Sequence, residues 1–279
     1  MFSTRRSVLL PLLLLLASPA LAQTIQNKTS PVQEMAAPGE TTEAPKPRAA
    51  PAGIVESVPL PRSGSVLVFG GTSGTGLEAV KHLVAAKEQV TVVSRKTAED
   101  PELKALGVTV VNGDAMNPES LKDVFKTTPF RVVISTIGHK KGEPNPDFEG
   151  NKNIVDAAKA FGVPRFILVT MIGDGDSEKA LPWFVRLFFK EAMINKTLAE
   201  GYLRDSGLEY TVIRPGALMN KASSGKAVLE SDPMKYSAIA RIDLGKLIAD
   251  CVKDDKTIKK IYTAYDPTRA SLFAPIFGD

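Results

Sequence analysis

Ser65-Val66-Leu67-Val68-Phe69-Gly70-Gly71-Thr72-Ser73-Gly74-Thr75-Gly76-Leu77-Glu78-Ala79-Val80 decides the fold. An uncharged, strand-forming run enters a turn made of glycine, threonine and serine, and the apolar spacing then becomes helical. Without Cβ atoms in the way, backbone N–H groups of such a turn approach an anion closely, and the start of the following helix adds partial positive charge. Strand, glycine turn and helix in this order predict a phosphate-binding βα unit. Gly70, Thr72, Ser73, Gly74, Thr75 and Gly76 are its candidate binding residues.

The same alternation continues outward. Val90 to Val93, Val108 to Val111, Val132 to Ser135, Phe166 to Thr170 and Thr211 to Ile213 are short β-branched runs, separated by helically spaced segments such as Leu77 to Ala86 and Ile154 to Phe161. Runs that are apolar on both faces predict buried parallel strands, and the intervening helices supply the crossovers. The expected class is α/β, a doubly wound, Rossmann-type parallel sheet in one domain over residues 63–279.

Composition narrows the function. Of 279 residues, 43% are hydrophobic and 24% charged, which excludes a collagen, a polytopic membrane protein and a wholly disordered chain. The formal net charge is +4, and residues 63–279 keep only 29 basic against 27 acidic residues. That is no electrostatic footprint for nucleic acid. The single cysteine, Cys251, permits neither an internal disulfide nor a cysteine-rich metal site, so no metal is expected.

Residues 1–22 read as a signal peptide, with Arg5 and Arg6, an apolar run from Val8 to Ala17, and Ala20-Leu21-Ala22 before Gln23. The apolar stretch is shorter than the roughly 20 residues a helix needs to cross a bilayer, so cleavage is expected rather than a stable membrane span. Thr4-Arg5-Arg6-Ser7-Val8-Leu9 resembles a twin-arginine export signal, and a general secretory signal with a chance arginine pair is the other reading. Either way the expectation is an exported protein, in a bacterial periplasm. Residues 23–62 carry seven prolines, many Ala, Thr and Glu, and no aromatic residue, and are expected to be a disordered tether.

The spacing of Gly70, Gly74 and Gly76 matches the G-x-x-x-G-x-G pattern of the short-chain dehydrogenase/reductase superfamily. Together with Asn112-Gly113-Asp114-Ala115, Ile134-Ser135-Thr136-Ile137-Gly138, the run from Ser206 to Gly216 and Arg241-Ile242-Asp243-Leu244, it gives residues 63–279 a resemblance to the atypical branch of that superfamily. That branch holds NmrA-like regulators and flavin and biliverdin reductase-like proteins. The resemblance implies a nicotinamide dinucleotide as cofactor and a small C-terminal extension on the substrate side of the sheet. It implies that Asp114 and Ala115 meet the adenine, that Thr136 and Gly138 line the nicotinamide ribose, and that Pro215 and Gly216 form the turn near the carboxamide. The Asn-Gly-Asp segment is also readable as a plain turn.

At the end of the second strand an NAD-binding Rossmann fold usually carries an acidic residue on the ribose hydroxyls, and here stands Arg95. A guanidinium there can fork onto a 2′-phosphate, so NADP(H) is expected over NAD(H); a solvated Arg95-Lys96 pair is the plainer reading.

Common members of the superfamily use Tyr-x-x-x-Lys. Lys196 matches the lysine, while Ala192 stands where the tyrosine would be and has no proton to give. Lys196 then either binds ribose or is an exposed helix lysine. Thr170 either hydrogen-bonds a substrate or caps its strand, and His139 either donates a proton or is a loop histidine. Tyr202 or Tyr210 replaces the missing tyrosine only if the fold brings one around, and Asp174 and Asp176 read as a turn rather than a cation site. Leu181 to Phe189 is aromatic on more than one helical face, and reads as a lid over an apolar substrate, a surface for a protein partner or membrane, or core. Two functions are expected from these residues: an NADP(H)-dependent reductase passing hydride to a flavin, quinone or similar conjugated acceptor, or a non-catalytic NADP(H)-binding module.

Overall fold

A computed structural model describes residues 63–96, 100–140 and 142–270. The expected signal peptide, the expected tether and the last nine residues of the expected domain lie outside the described residues. The order of elements is β1 (Ser65–Phe69), α1 (Gly74–Ala85), β2 (Val90–Ser94), α2 (Pro101–Ala105), β3 (Thr109–Asn112), α3 (Pro118–Lys126), β4 (Phe130–Ser135), α4 (Glu149–Ala160), β5 (Arg165–Val169), α5 (Trp183–Asp205), β6 (Glu209–Pro215), β7 (Leu218–Met219), β8 (Val228–Glu230), β9 (Ile239–Ala240), α6 (Arg241–Cys251) and β10 (Lys260–Tyr265).

The main sheet runs β3-β2-β1-β4-β5-β6-β10-β8, all parallel except β8, which pairs antiparallel with β10 at one edge. β7 and β9 form a separate two-stranded ribbon. After β1 the chain builds outward to β3 and then returns to place β4 on the other side of β1. That reversal opens a crevice at the carboxyl ends of β1 and β4, where open α/β sheets bind their ligands.

Strand alternation splits the core in two. Val66 and Val68 of β1 pack with Val80, Leu83, Leu244 and Ile248 of α1 and α6 on one face. Leu67 and Phe69 point the other way, into Leu121, Phe125, Ile154 and Leu203 of α3, α4 and α5. Truncating Leu67 to Ala leaves a cavity in the second layer worth about 2–5 kcal/mol. α1 and α6 cross closely, since a Cβ at Gly245 would meet the Ala79 nitrogen at 2.7 Å. The shorter helices start where the sequence caps them: Asn117 and Asp100, each followed by proline, accept from the first-turn N–H groups of α3 and α2.

One expectation is corrected. The Val108 to Val111 run is not buried on both faces, because β3 is the edge strand and Val110 is 42% exposed. Among the described residues no helix is long and apolar enough to cross a membrane, and no cluster of three or more metal-ligating side chains is present.

Candidate functional site

The turn after β1 is shaped by contacts its glycines permit. A Cβ on Gly76 would lie 2.2 Å from the Gly70 carbonyl oxygen, and one on Gly70 would lie 2.6 Å from Thr136 Oγ1, so only glycine lets α1 begin so close to β1 and β4. Gly74 differs: its φ is +56°, and a Cβ there would find nothing nearer than the Arg241 side chain at 3.8 Å. Its missing side chain leaves open space over the start of α1. Ser73 caps α1 in extended backbone without a side-chain bond, and the first turn carries no acidic residue. The hydroxyl of Thr75 is buried there without a hydrogen-bond partner among the described residues. Free first-turn donors, an orphaned hydroxyl and an open glycine cradle fit a dinucleotide pyrophosphate.

Gly70, Thr72, Ser73, Gly74, Thr75, Gly76, Arg95, Asp114, Ala115, Thr136, Gly138, Pro215 and Gly216 all line one cleft of about 960 Å³, and so do Lys196, Thr170 and His139. Arg95 is exposed at the mouth, with its guanidinium 2.7 Å from Glu143, whose carboxyl it holds below the usual carboxylate range. Asp114 spends one carboxylate oxygen on the Met116 N–H. Thr136 donates its hydroxyl to the Phe69 carbonyl at 3.2 Å, so it ties β4 to the glycine turn. Gly216 is enforced by packing, since a Cβ would sit 1.9 Å from the Ser237 carbonyl oxygen.

Lys196, about two turns past Phe189 on α5, points back to the end of β4. Its ammonium is 2.9 Å from Asp147 Oδ1 and donates to the Ile137 carbonyl at 3.3 Å, beside Gly138. It is not a freely solvated helix lysine. Asp147 is 1% exposed and also accepts the His139 N–H at 3.2 Å. The amide of Asn151 in α4 donates to the Asp147 carbonyl at 2.8 Å, which holds the loop in place. His139 itself is exposed at the rim.

Beyond β5 lies a buried polar chain. Thr170 donates its hydroxyl to Glu200 Oε1 at 2.6 Å, and Glu200 receives Arg214 through both oxygens, at 3.0 Å and 2.6 Å. Asp176 closes the far side of the Arg214 guanidinium. Burial opposes the charge on Arg214, yet the two carboxylates outweigh it and hold its pKa above the ordinary arginine value. Because the proton of Thr170 is committed to Glu200, its oxygen is left with acceptor capacity, and the residue lines the cleft. Around it the cleft turns apolar, lined by Ile172, Leu181, Val185, Phe189 and Met193.

The structure corrects the search for a second tyrosine. Tyr202 donates to Asp156 at 2.6 Å between α5 and α4, and Tyr210 lies on β6 packed against the core; neither lines the cleft. Tyr236 does, from the loop before β9. Asp174 precedes and Asp176 lies within a short 3-10 helix, Gly175–Ala180, and Asp176 is used on Arg214.

Asp147, Glu200, Tyr236 and Arg241 were not legible as site residues. Arg241 opens α6 against the glycine turn and lines the cleft, and its Nη1 is buried without a hydrogen-bond partner among the described residues. It brings to the glycine cradle a cation with no ion pair among the described residues. The only signal in the sequence was its place in the Arg241-Ile242-Asp243-Leu244 segment.

Residues 70–255 match a family model described as NAD(P)H-binding. The photosystem II assembly factor Ycf39 of Cyanophora paradoxa is 30% identical over 154 residues, covering 54% of this chain and 44% of that protein. The chloroplastic divinyl chlorophyllide a 8-vinyl-reductase of Arabidopsis thaliana is 28% identical over 235 residues, covering 75% of this chain and 55% of that one. The chain thus spans about half the length of these two relatives. Among solved structures, ChuY, an anaerobillin reductase from Escherichia coli O157:H7, superposes with a TM-score of 0.67 at 29% identity, covering 73% of this chain and 98% of that one.

Proposed function

We propose, since this chain belongs to the NAD(P)H-binding family, that it is a reductase that prefers NADP(H) and passes hydride to a conjugated acceptor such as a flavin or a quinone. The observation that carries this reading is the continuity of one cleft, from the glycine cradle past Lys196 to an apolar chamber beside the buried Thr170. The nicotinamide dinucleotide supplies the hydride when bound. Gly74, the first turn of α1 and Arg241 hold its pyrophosphate, Arg95 takes the 2′-phosphate, and Lys196, fixed by Asp147, orients the ribose.

Ala192 offers no proton at the position of the usual tyrosine, and the hydroxyl proton of Thr170 is held by Glu200, which is also bound to Arg214. Without a tyrosine at the usual position, the acceptor that fits best is one that takes its proton from solvent after hydride transfer, as flavins and quinones do; Tyr236 and His139 are other proton-bearing side chains of the cleft. Relatives named as a vinyl reductase and an anaerobillin reductase support reduction of a conjugated system. The test is consumption of NADPH by the purified chain with a flavin or a soluble quinone added. Binding without consumption across such acceptors refutes the reductase.

The relative named as an assembly factor supports a second reading, in which NADP(H) occupancy orders the domain for a protein partner and nothing is turned over. We carry the export expectation for residues 1–22 into both readings; fractionation of a bacterium expressing the full chain tests it.

A further inference from the structure

The amino-terminal turns of α5 present two apolar faces. Val185, Phe189 and Met193 look into the cleft, while Trp183, Leu187 and Phe188 stand 74%, 66% and 81% exposed on the outside, continued by Ile194. Phe189 joins the two, since it lines the cleft and is still 52% exposed. The outer patch is thus continuous with the apolar end of the cleft.

The charges around it lean positive, with Lys179, Arg186 and Lys190 against Glu178 and Glu191. Residues 181–190 contain Arg186 and Lys190 and no acidic residue. Of the nearest acids, Glu178 is neutralised by Arg186, whereas Glu191 accepts from the neutral Asn145 amide at 3.2 Å, which does not cancel a charge. Lys179 and Lys190 are exposed and have no ion pair among the described residues. Tryptophan and phenylalanine side chains that stand proud of a helix, flanked by free lysines, match the interfacial depth of a bilayer, with rings at the acyl boundary and ammonium groups at the phosphates. A rigid protein partner would need grooves shaped to these rings, whereas a fluid interface closes around them.

We propose that the start of α5 docks on a lipid bilayer containing anionic headgroups, inserting Trp183, Leu187 and Phe188 and seating the apolar mouth of the cleft against the acyl chains. This goes beyond the proposed reductase, and its test needs neither cofactor nor acceptor, so the two readings fail separately. Trp183 is the sole tryptophan of the chain, so its emission reports this patch even where the apolar run from Val8 to Ala17 also meets lipid.

The experiment titrates the full chain with vesicles of phosphatidylcholine mixed with phosphatidylglycerol, and with phosphatidylcholine alone. The expected result is a blue shift of Trp183 emission, quenching by lipids brominated high on the acyl chain, and stronger partition into the mixed vesicles. Leu187→Ser combined with Phe188→Glu should weaken the partition read by Trp183 at least about tenfold while leaving the far-UV circular dichroism spectrum and the urea midpoint unchanged, which shows that the variant is folded. Emission indifferent to both vesicles overturns the proposal. So does a blue shift that depends on protein concentration without lipid, which would make the patch an interface between copies, or an equal response from the double variant.

Discussion

Arg95 and Glu143 face each other across the mouth of the cleft at 2.7 Å, so the guanidinium assigned to a 2′-phosphate already holds a carboxylate. An exposed pair of this kind is screened by solvent and weak, and a phosphate with nearly two charges displaces it. Glu143→Gln is therefore expected to tighten NADPH binding up to about fivefold and leave NADH binding unchanged. Arg95→Ala should weaken NADPH far more than NADH. Calorimetric titration with each cofactor checks both; equal changes for NADPH and NADH sink the assignment of Arg95.

Arg241 gives the complementary pattern. Its guanidinium lies against the cradle at Gly74, where the pyrophosphate is common to both dinucleotides. Arg241→Leu should weaken NADPH and NADH alike, by about tenfold, the worth of one charge-assisted hydrogen bond. The ratio of the two affinities should not move. A selective loss of NADPH would place the 2′-phosphate at Arg241 instead.

The buried chain from Thr170 to Arg214 separates stability from selectivity. Glu200→Gln removes the carboxylate that neutralises Arg214 in the interior and is expected to cost about 3 kcal/mol or more, measured by urea unfolding, with Asp176 limiting the loss. Thr170→Val removes the acceptor at the cleft together with the hydrogen bond to Glu200, which keeps its contacts with Arg214. It should raise KM several-fold for acceptors that carry an N–H or O–H and spare those that carry none, with Thr170→Ser restoring the first class. A uniform fall in kcat for all acceptors would instead make Thr170 a proton donor.

The fold was legible because its signals are local. The β1 run, the glycine turn and the spacing from Leu77 onward each need only neighbours in sequence, and α1 starts at Gly74 as that pattern requires. The nucleotide side of the cleft followed for the same reason, since βα turns deliver their residues to one sheet edge whatever the rest of the chain does. Asp147, Glu200 and Arg241 were hidden because each acts on a residue from a different element: Lys196 across the β4–α4 loop, Arg214 across α5 and β6, and the glycine turn from α6. Val110 misled by composition alone, because an apolar run cannot say whether its strand is central or at the edge.

Cys251 offers a pH signature of the core. It is buried at the end of α6, beneath β5, where burial pushes the thiol up to about 11 even though the nearby Arg165 guanidinium and a hydrogen bond with Thr257 pull the other way. In the unfolded chain a thiol titrates near 8.5. The folded state thus binds this proton more tightly, so its contribution is fully present below about pH 8.5 and is lost as pH rises through 11, amounting to roughly 3 kcal/mol by then. Other groups titrate in the same window, so the difference between the natural chain and Cys251→Ala isolates the effect. At pH 8 the alanine variant should be the less stable by about 1 kcal/mol, the cost of the small cavity. By pH 11 the order should reverse, because the variant has no thiol to deprotonate on unfolding. Urea midpoints for both proteins across that range decide the matter: a gap independent of pH would mean that water or the Arg165 charge already stabilises the thiolate in the folded interior.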